Sequence, residues 1–312
     1  MTNLINTPGV YRDLPFDDYV RIDALNASLL KEIARCPAAA WWHMNYPREQ
    51  TTAMKLGKAR HGALLEPSTF EDHFVVADGC GAEIKTGTRA GQLCGNAARV
   101  CRAGTWYCGT HDPAKGEPSE DTREPLSEDE MRDCLYVRDA VLAHPVTRPI
   151  VTAPHAMREV TLVWREPDCD LLFKARVDLL DPDAAILFDL KTTGLSSRPQ
   201  AVRHAARRYG WHLQAAHYIA GGLALADELN IDLDVSGPLL FIFGAIESTP
   251  PNVLTPIAMS DEAVDVGMAA RRAAIQRYIE CMDTDEWPGY ATGLEFIEAD
   301  DVITQEANDE NE

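Results

Sequence analysis

The chain has 312 residues, 46% hydrophobic and 25% charged, with a formal net charge of −20; this is the balance of a soluble globular protein of one large or two modest domains. No apolar run of about 18 residues occurs, so no membrane span is expected. The N-terminus shows no secretory signal, which makes a cytoplasmic location the expectation, in a bacterial host and either host- or phage-encoded. So negative a charge excludes a nucleic-acid binder that works by global charge, but not a carboxylate-rich metal site beside a local basic surface. Residues 8–75 read as mostly helical. Asn26 or Ser28 caps a helix through SLLKEIARC that halts at Pro37, and AAAWWHMNY resumes after it. AMKLGKARHGALLEP forms another helix, carrying His61, with Met54, Leu56, Ala59, Ala63 and Leu64 near helical spacing. Residues 78–122 differ: they are rich in Gly, Thr, Cys and Arg, lack a long hydrophobic period, and leave through the polar stretch GEPSEDTREP. LSEDEMRDCLYVRDAVLAHP is a helix opened by a capping box, Ser127 with Glu130. MREVTLVWRE, CDLLFKARVDLL and AAILFDLKTT form a β-meander divided by turn signals. A basic helix from about Gln200 to Leu229, a strand PLLFIFGAIES, a short strand VLTPIAM and a final helix DEAVDVGMAARRAAIQRYIECM follow. This order predicts an α/β fold with a mixed central β-sheet flanked by helices.

Chemistry concentrates in the meander. Asp189 and Lys191 are two apart on a predicted strand and share a face, while Leu190 turns into the core. A hairpin through DPDA brings Asp178 of the preceding strand roughly opposite Asp189. Two acids and a lysine at a buried strand edge are costly unless a metal or partner compensates them. Metal-dependent phosphodiester hydrolysis uses that set: carboxylates hold a divalent ion that polarises the phosphate and generates hydroxide, and a lysine steadies the developing charge. Gln214 and Tyr218 lie at i and i+4 on one helix face, and a neutral His61 can complete a metal shell. Each feature taken alone also fits an ordinary hairpin, a half-buried helix or a structural histidine. RPQAVRHAARR, residues 198–208, has four arginines and a histidine without an acid; it reads either as a phosphate contact or as a solvated helix face.

The ordered set His61, Asp178, Asp189-Leu190-Lys191 and Gln214-x-x-x-Tyr218 resembles the motif series of the RecB-type branch of the PD-(D/E)XK nucleases. Longer stretches are similar to the RecE-like exonucleases (exodeoxyribonuclease VIII type): ALNASLLKEIARCPAAAWW, MKLGKARHGALLEPSTFEDHFVV, LLFKARVDLL with ILFDLKTT, YGWHLQAAHYIAGG and DEWPGY. The likeness spans nearly everything but 78–122 and the acidic tail. It implies degradation of linear double-stranded DNA, 5′ to 3′, leaving a 3′ single strand for phage-type recombination. It also implies Mg²⁺ (or Mn²⁺), a ring-like homo-oligomer around DNA, and a RecT-like single-strand annealing partner. By position, Asp178, Asp189, the Leu190 carbonyl and His61 would hold the metal, Lys191 would be the catalytic lysine, and Gln214 and Tyr218 would support the site. Glu159, on the first strand of the meander, would be a supporting acid. The competing readings are a DNA-end-binding protein without turnover, and another nuclease of the superfamily, of endonuclease or CRISPR-adaptation type. Intact Asp178, Asp189 and Lys191 argue against the first.

The stretch from Cys80 to His111 departs from the RecE pattern. Clustered cysteines in a cytosolic chain favour a metal over disulfides. Cys108-x-x-His111 is a tight ligand pair, and Cys80 with Cys94 is the natural distal pair, giving a Cys₃His site suited to structural Zn²⁺; Cys101 is spare or a substitute. So short and core-poor a segment needs its metal to fold. Arg89, Arg99 and Arg102 are candidates for DNA contact. The expected organisation is an N-terminal helical part of the nuclease domain at 1–77, an inserted zinc module at 78–122, a catalytic core at 123–294, and an acidic, disordered tail at 295–312.

Overall fold

This computed structural model describes residues 5–46, 50–194, 196–291 and 293–297. In chain order they form β1 (Gly9–Tyr11), α1 (Phe16–Arg21), α2 (Ala27–Arg35), α3 (Pro37–Asn45), α4 (Thr52–Leu65), α5 (Phe70–His73), β2 (Phe74–Val76), β3 (Val100–Arg102), β4 (Thr105–Tyr107) and β5 (Glu124–Leu126). There follow α6 (Glu128–Ala143), α7 (Thr147–Val151), β6 (Met157–Glu166), β7 (Cys169–Asp181), β8 (Ile186–Thr193), α8 (Pro199–Arg208), α9 (Trp211–Ala224), α10 (Ala226–Leu229), α11 (Leu233–Ser236), β9 (Leu240–Glu247), β10 (Leu254–Ala258) and α12 (Asp261–Thr284).

The central sheet has six strands in the order β1-β6-β7-β8-β9-β10. β6, β7 and β8 form the antiparallel meander, and β8 runs parallel to β9 after a helical crossover, so the sheet is mixed. The inner strand β9, LFIFGAIE, is apolar towards both faces, as a strand covered by helices on both sides requires. On one face Leu30 and Ile33 of α2, Leu213 and Ile219 of α9 and Ile275 of α12 pack with Leu162, Trp164, Phe173, Leu187 and Phe241. On the other, Leu64 of α4, Val137 and Val141 of α6 and Ile150 of α7 pack with Leu179, Phe188 and Ile242. Local signals start the helices. The Asn26 side chain accepts from Leu29 N–H (2.8 Å), and Ser127 and Glu130 exchange both bonds of the capping box.

Two expectations are corrected and a third is refined. The basic helix at 200–229 is interrupted at Gly210, whose φ of +62° cannot continue a right-handed helix, and becomes α8, α9 and α10. Residues 8–75 are mostly helical, as read, but include two short strands: β1 completes the sheet edge against β6, and β2 pairs in parallel with β5. Strands of three residues carry too little period to be read. Arg102 is not available to DNA. It is buried, donating to both oxygens of Asp112 (3.0 and 2.9 Å) and to the carbonyls of Ala114, Glu117 and Pro118. Residues 77–123 thus leave and return between two paired strands, with Arg102 stapling their second half. Of the acidic tail, residues 298–312 lie outside the described residues. Among the described residues no helix is long and apolar enough to cross a membrane.

α12 crosses α9 at Gly267, where an added β-carbon would sit 2.2 Å from the His212 carbonyl oxygen. Gly267→Ala must push the helices apart and is expected to cost about 2–3 kcal/mol, read as a lower denaturation midpoint; unchanged stability would show that the crossing is looser than this.

Candidate active site

β7 and β8 pair only where 179–181 face 186–188; beyond that point β7 continues beside β6 and β8 beside β9. The parting leaves the Leu190 main chain without a strand partner on the β7 side, and buried peptide groups require one. Two side chains take that place. Asp178 Oδ2 accepts from Leu190 N–H at 2.8 Å, and His61 Nε2, carried by α4, lies 2.9 Å from the Leu190 carbonyl oxygen. Continuing the register by one residue puts Asp178 opposite Asp189.

The acids are held from several sides. Asp189 is 3% exposed; one oxygen accepts from Gln214 Nε2 of α9 (2.6 Å) and the other faces the Lys191 ammonium. Gln214 Oε1 in turn accepts from Lys31 Nζ of α2 at 3.3 Å. His61 Nδ1 lies 3.3 Å from Asp178 Oδ2. With one ring nitrogen against a carboxylate and the other against a carbonyl, both must donate, so the ring is an imidazolium. Burial opposes that charge, but Asp178, by charge and hydrogen bond, raises His61 to about 9. Burial would raise the Asp178 carboxyl, yet His61, Lys191 and the Leu190 N–H bring it below the usual carboxylate range. Asp189 moves the other way, because burial and the Asp178 charge outweigh Lys191.

Glu159 stands closer to the chemistry than a supporting acid. The ligand atoms of His61, Glu159 and Asp178 all lie within 4.8 Å of one another. Glu159 drops out of the β6–β7 ladder with φ at +49°, a left-handed conformation that costs a non-glycine residue about 1–2 kcal/mol and tends to mark functional positions. Arg176 Nε grips its carboxylate at 2.6 Å. Burial and the Asp178 charge push Glu159 to about 7. Tyr218 lines a pocket of about 410 Å³ with His61, Asp178, Asp189, Lys191 and Gln214, its ring edge-on to Phe241; it makes no hydrogen bond to the acids among the described residues. Burial lifts its hydroxyl far above the normal value, so it stays neutral. Every residue proposed from sequence for the catalytic site therefore lines this pocket or contacts its acids. Lys31 and Arg176 were missed. Arg176 had a signal: Lys174, Arg176 and Asp178 alternate along β7 with the fully buried Phe173, Ala175, Val177 and Leu179. Lys31 had none, since it reads as an ordinary helix lysine.

The carboxylates of Glu159, Asp178 and Asp189 and the Leu190 carbonyl are hard oxygen donors, joined by one borderline imidazole, a set that suits a divalent cation such as Mg²⁺ or Mn²⁺. Three acids gathered away from water are otherwise expensive. A second, softer cluster lies in the insertion. His111 Nδ1 is 3.6 Å from Cys80 Sγ and 3.5 Å from Cys108 Sγ, and Cys94 completes a set within 4.8 Å. Bond lengths of about 2.3 Å to sulfur and 2.0–2.1 Å to nitrogen in a tetrahedron put sulfur and nitrogen about 3.5–3.6 Å apart, so the cluster fits zinc. Against burial, the His111 and Thr110 N–H groups lower the Cys108 thiol to about 6. Cys101 is not a substitute ligand: it sits on β3, outside the cluster, with its N–H donated to Ser119 Oγ.

A mixed sheet with helices on both faces, parted to expose Asp178 against Asp189-Leu190-Lys191, defines a PD-(D/E)XK-type nuclease fold. The model of the family described as "PDDEXK-like domain of unknown function (DUF3799)" matches residues 26–300, and the chain belongs to that family. A candidate exonuclease from Eubacterium rectale, known from its crystal structure, has the same fold, with a TM-score of 0.57 at 11% identity over 94% of this chain and 99% of its own. A second solved protein, described as SSO0001, shares 10% identity over 84% of this chain and 77% of its own, with a TM-score of only 0.32. No curated protein sequence matches the chain significantly.

In the metal-free protein, Asp178→Asn should drop the His61 pKa from about 9 to the ordinary imidazole range near 6.5 or below, as followed by NMR titration. Since the native pKa lies above the unfolded one, the His61–Asp178 pair stabilises fully below pH about 6.5 and loses its contribution as pH rises through about 9. A His61 that still titrates near 9 in the variant would refute the pairing.

Proposed function

We propose that the protein is a divalent-metal-dependent exodeoxyribonuclease that shortens linear double-stranded DNA from its ends. The observation that carries this is the convergence of Asp178, Asp189 and Lys191, with His61 and Glu159, where β7 and β8 part. The bound cation would act as a Lewis acid on the scissile phosphate and bring water towards ionisation near neutral pH. Asp178, Asp189, the Leu190 carbonyl and His61 are its holders, and Glu159 is within reach of the same place. His61 would have to give up its extra proton to serve as a ligand, so cation binding would release a proton. Lys191 steadies charge on the phosphate oxygens. Gln214 fixes the Asp189 carboxylate, and Tyr218 walls the pocket.

In its finer form the reading follows the RecE-like resemblance: 5′ to 3′ digestion with Mg²⁺ or Mn²⁺ in a bacterial cytoplasm, leaving a 3′ strand for recombination. It includes a homo-oligomeric ring around the duplex and a RecT-like annealing protein that takes over the exposed strand. The insertion carries a structural zinc on Cys80, Cys94, Cys108 and His111, whose spacing fits that ion.

Linear duplex labelled at either 5′ or 3′ ends, incubated with Mg²⁺ or EDTA, tests the activity. Early loss of the 5′ label, only with Mg²⁺ and at least about 100-fold slower in Asp189→Ala, is expected. Protein that binds ends and never cuts them would replace this reading with that of an end-binding protein. For the insertion, elemental analysis should find about one zinc per chain, lost in Cys108→Ser and His111→Ala and kept in Cys101→Ser. Loss from Cys101→Ser as well would move the site.

A further inference from the structure

α8 separates its charges from its core contacts. Val202 is buried, and Ala205 and Ala206 pack against the main core. Arg203, His204, Arg207 and Arg208 are all exposed on the opposite side. Arg203 with Arg207, and His204 with Arg208, are i,i+4 neighbours, so the four make two rows along a helix of about 15 Å.

Among the described residues these cations meet no counter-charge. Arg60, Arg102, Arg123, Arg176 and Arg271 are each spent in an ion pair with a carboxylate. Among the described residues no carboxylate meets Arg203, Arg207 or Arg208; Arg208 touches only the Tyr209 ring, at 5.7 Å. In a chain of net charge −20, acids to cover them are plentiful, and none of the described ones does so.

The stripe also leads to the acids described above. α8 ends against Gly210, where a β-carbon would lie 3.2 Å from Lys31 Cδ. Lys31 Nζ donates to Gln214, and Gln214 donates to Asp189. A polyanion lying along α8 is therefore led towards the parted strands. Duplex DNA presents about one negative charge per 1.7 Å of axis, and arginine contacts to its phosphates carry no sequence information. That suits an enzyme that must move along whatever sequence it meets.

We propose that the Arg203, His204, Arg207 and Arg208 face of α8 binds the phosphate backbone of duplex DNA and delivers it to the Asp178–Asp189 pocket. The delivery rests on the nuclease reading; the backbone contact does not. The test measures anisotropy of a labelled 20-base-pair duplex with full-length protein in EDTA, over a range of KCl concentrations. Each phosphate neutralised contributes about −0.9 to the slope of log K against log[salt]. The triple variant R203Q/R207Q/R208Q should flatten the slope by about 2–3, while R203K/R207K/R208K keeps it. R272Q/R277Q, which removes two arginines of α12 that are also exposed, should leave the slope nearly unchanged.

A wild-type slope retained by the triple glutamine variant would overturn the proposal. So would an equal loss in the α12 variant, which would mean a global-charge effect. Wild-type protein with no salt-dependent duplex binding would also overturn it. Cleavage of bis-p-nitrophenyl phosphate with Mg²⁺, a substrate too small to reach α8, separates the two readings. It should be equal in wild type and triple variant. If wild type cuts neither this ester nor DNA, the nuclease reading fails and the slope comparison still decides the α8 surface.

Discussion

The structure turns on the early parting of two strands. A β-ladder satisfies main-chain groups pair by pair, and β7 and β8 abandon theirs after three residue pairs. Leu190 is left with an N–H and a carbonyl that need partners away from water. Asp178 and His61 supply them, and in doing so become fixed to within hydrogen-bond tolerance of Asp189 and Lys191. The geometry of the acid cluster is thus a by-product of repairing a broken sheet. The repair draws α4 towards the cleft from one face, while α9 brings Gln214 from the other.

Charge balance follows from that constraint. Glu159, Asp178 and Asp189 are answered by His61, Arg176 and Lys191, with Lys31 behind Gln214. Each carboxylate leans on a different cation, which is why neighbouring acids move in opposite directions: Asp178 stays ionised while burial raises Asp189 and Glu159. Removing one member of a buried pair typically costs about 3–5 kcal/mol, because its partner's charge is stranded. The cluster is therefore held together as a unit, and a divalent cation entering it would replace positive charge the protein already supplies.

The chain carries two metal-ready clusters of different chemistry, hard oxygen donors in the sheet and soft sulfur donors in the insertion. Neither borrows a ligand from the other among the described residues. The insertion, with little apolar core of its own, is held by the β3–β4 hairpin, whose Ala103-Gly104 turn has positive φ at both residues, by buried Arg102 and by its cysteines. Because it leaves and returns between β2 and β5, it adds a module without displacing a strand of the central sheet.

Much of this was legible from residue order. Alternation and turn residues marked the meander, Ser127 and Glu130 marked a helix start, and period two placed Asp189 and Lys191 on one face. Spacing marked Cys108-x-x-His111 and its distal cysteines as a ligand set, but it left Cys101 open as a substitute, which only the fold placed outside the cluster. These properties are local, set by backbone periodicity and by side chains a few residues apart. Tertiary structure decided the rest. No local pattern says that β7 and β8 will part, that Glu159 will turn left-handed and face His61, or that Lys31, 183 residues away in sequence, will hold Gln214. Gly210 was visible, but its break between α8 and α9 was not, because glycine permits a positive φ without demanding it. Contacts between distant segments are fixed by which surfaces pack together, and that choice belongs to the whole core.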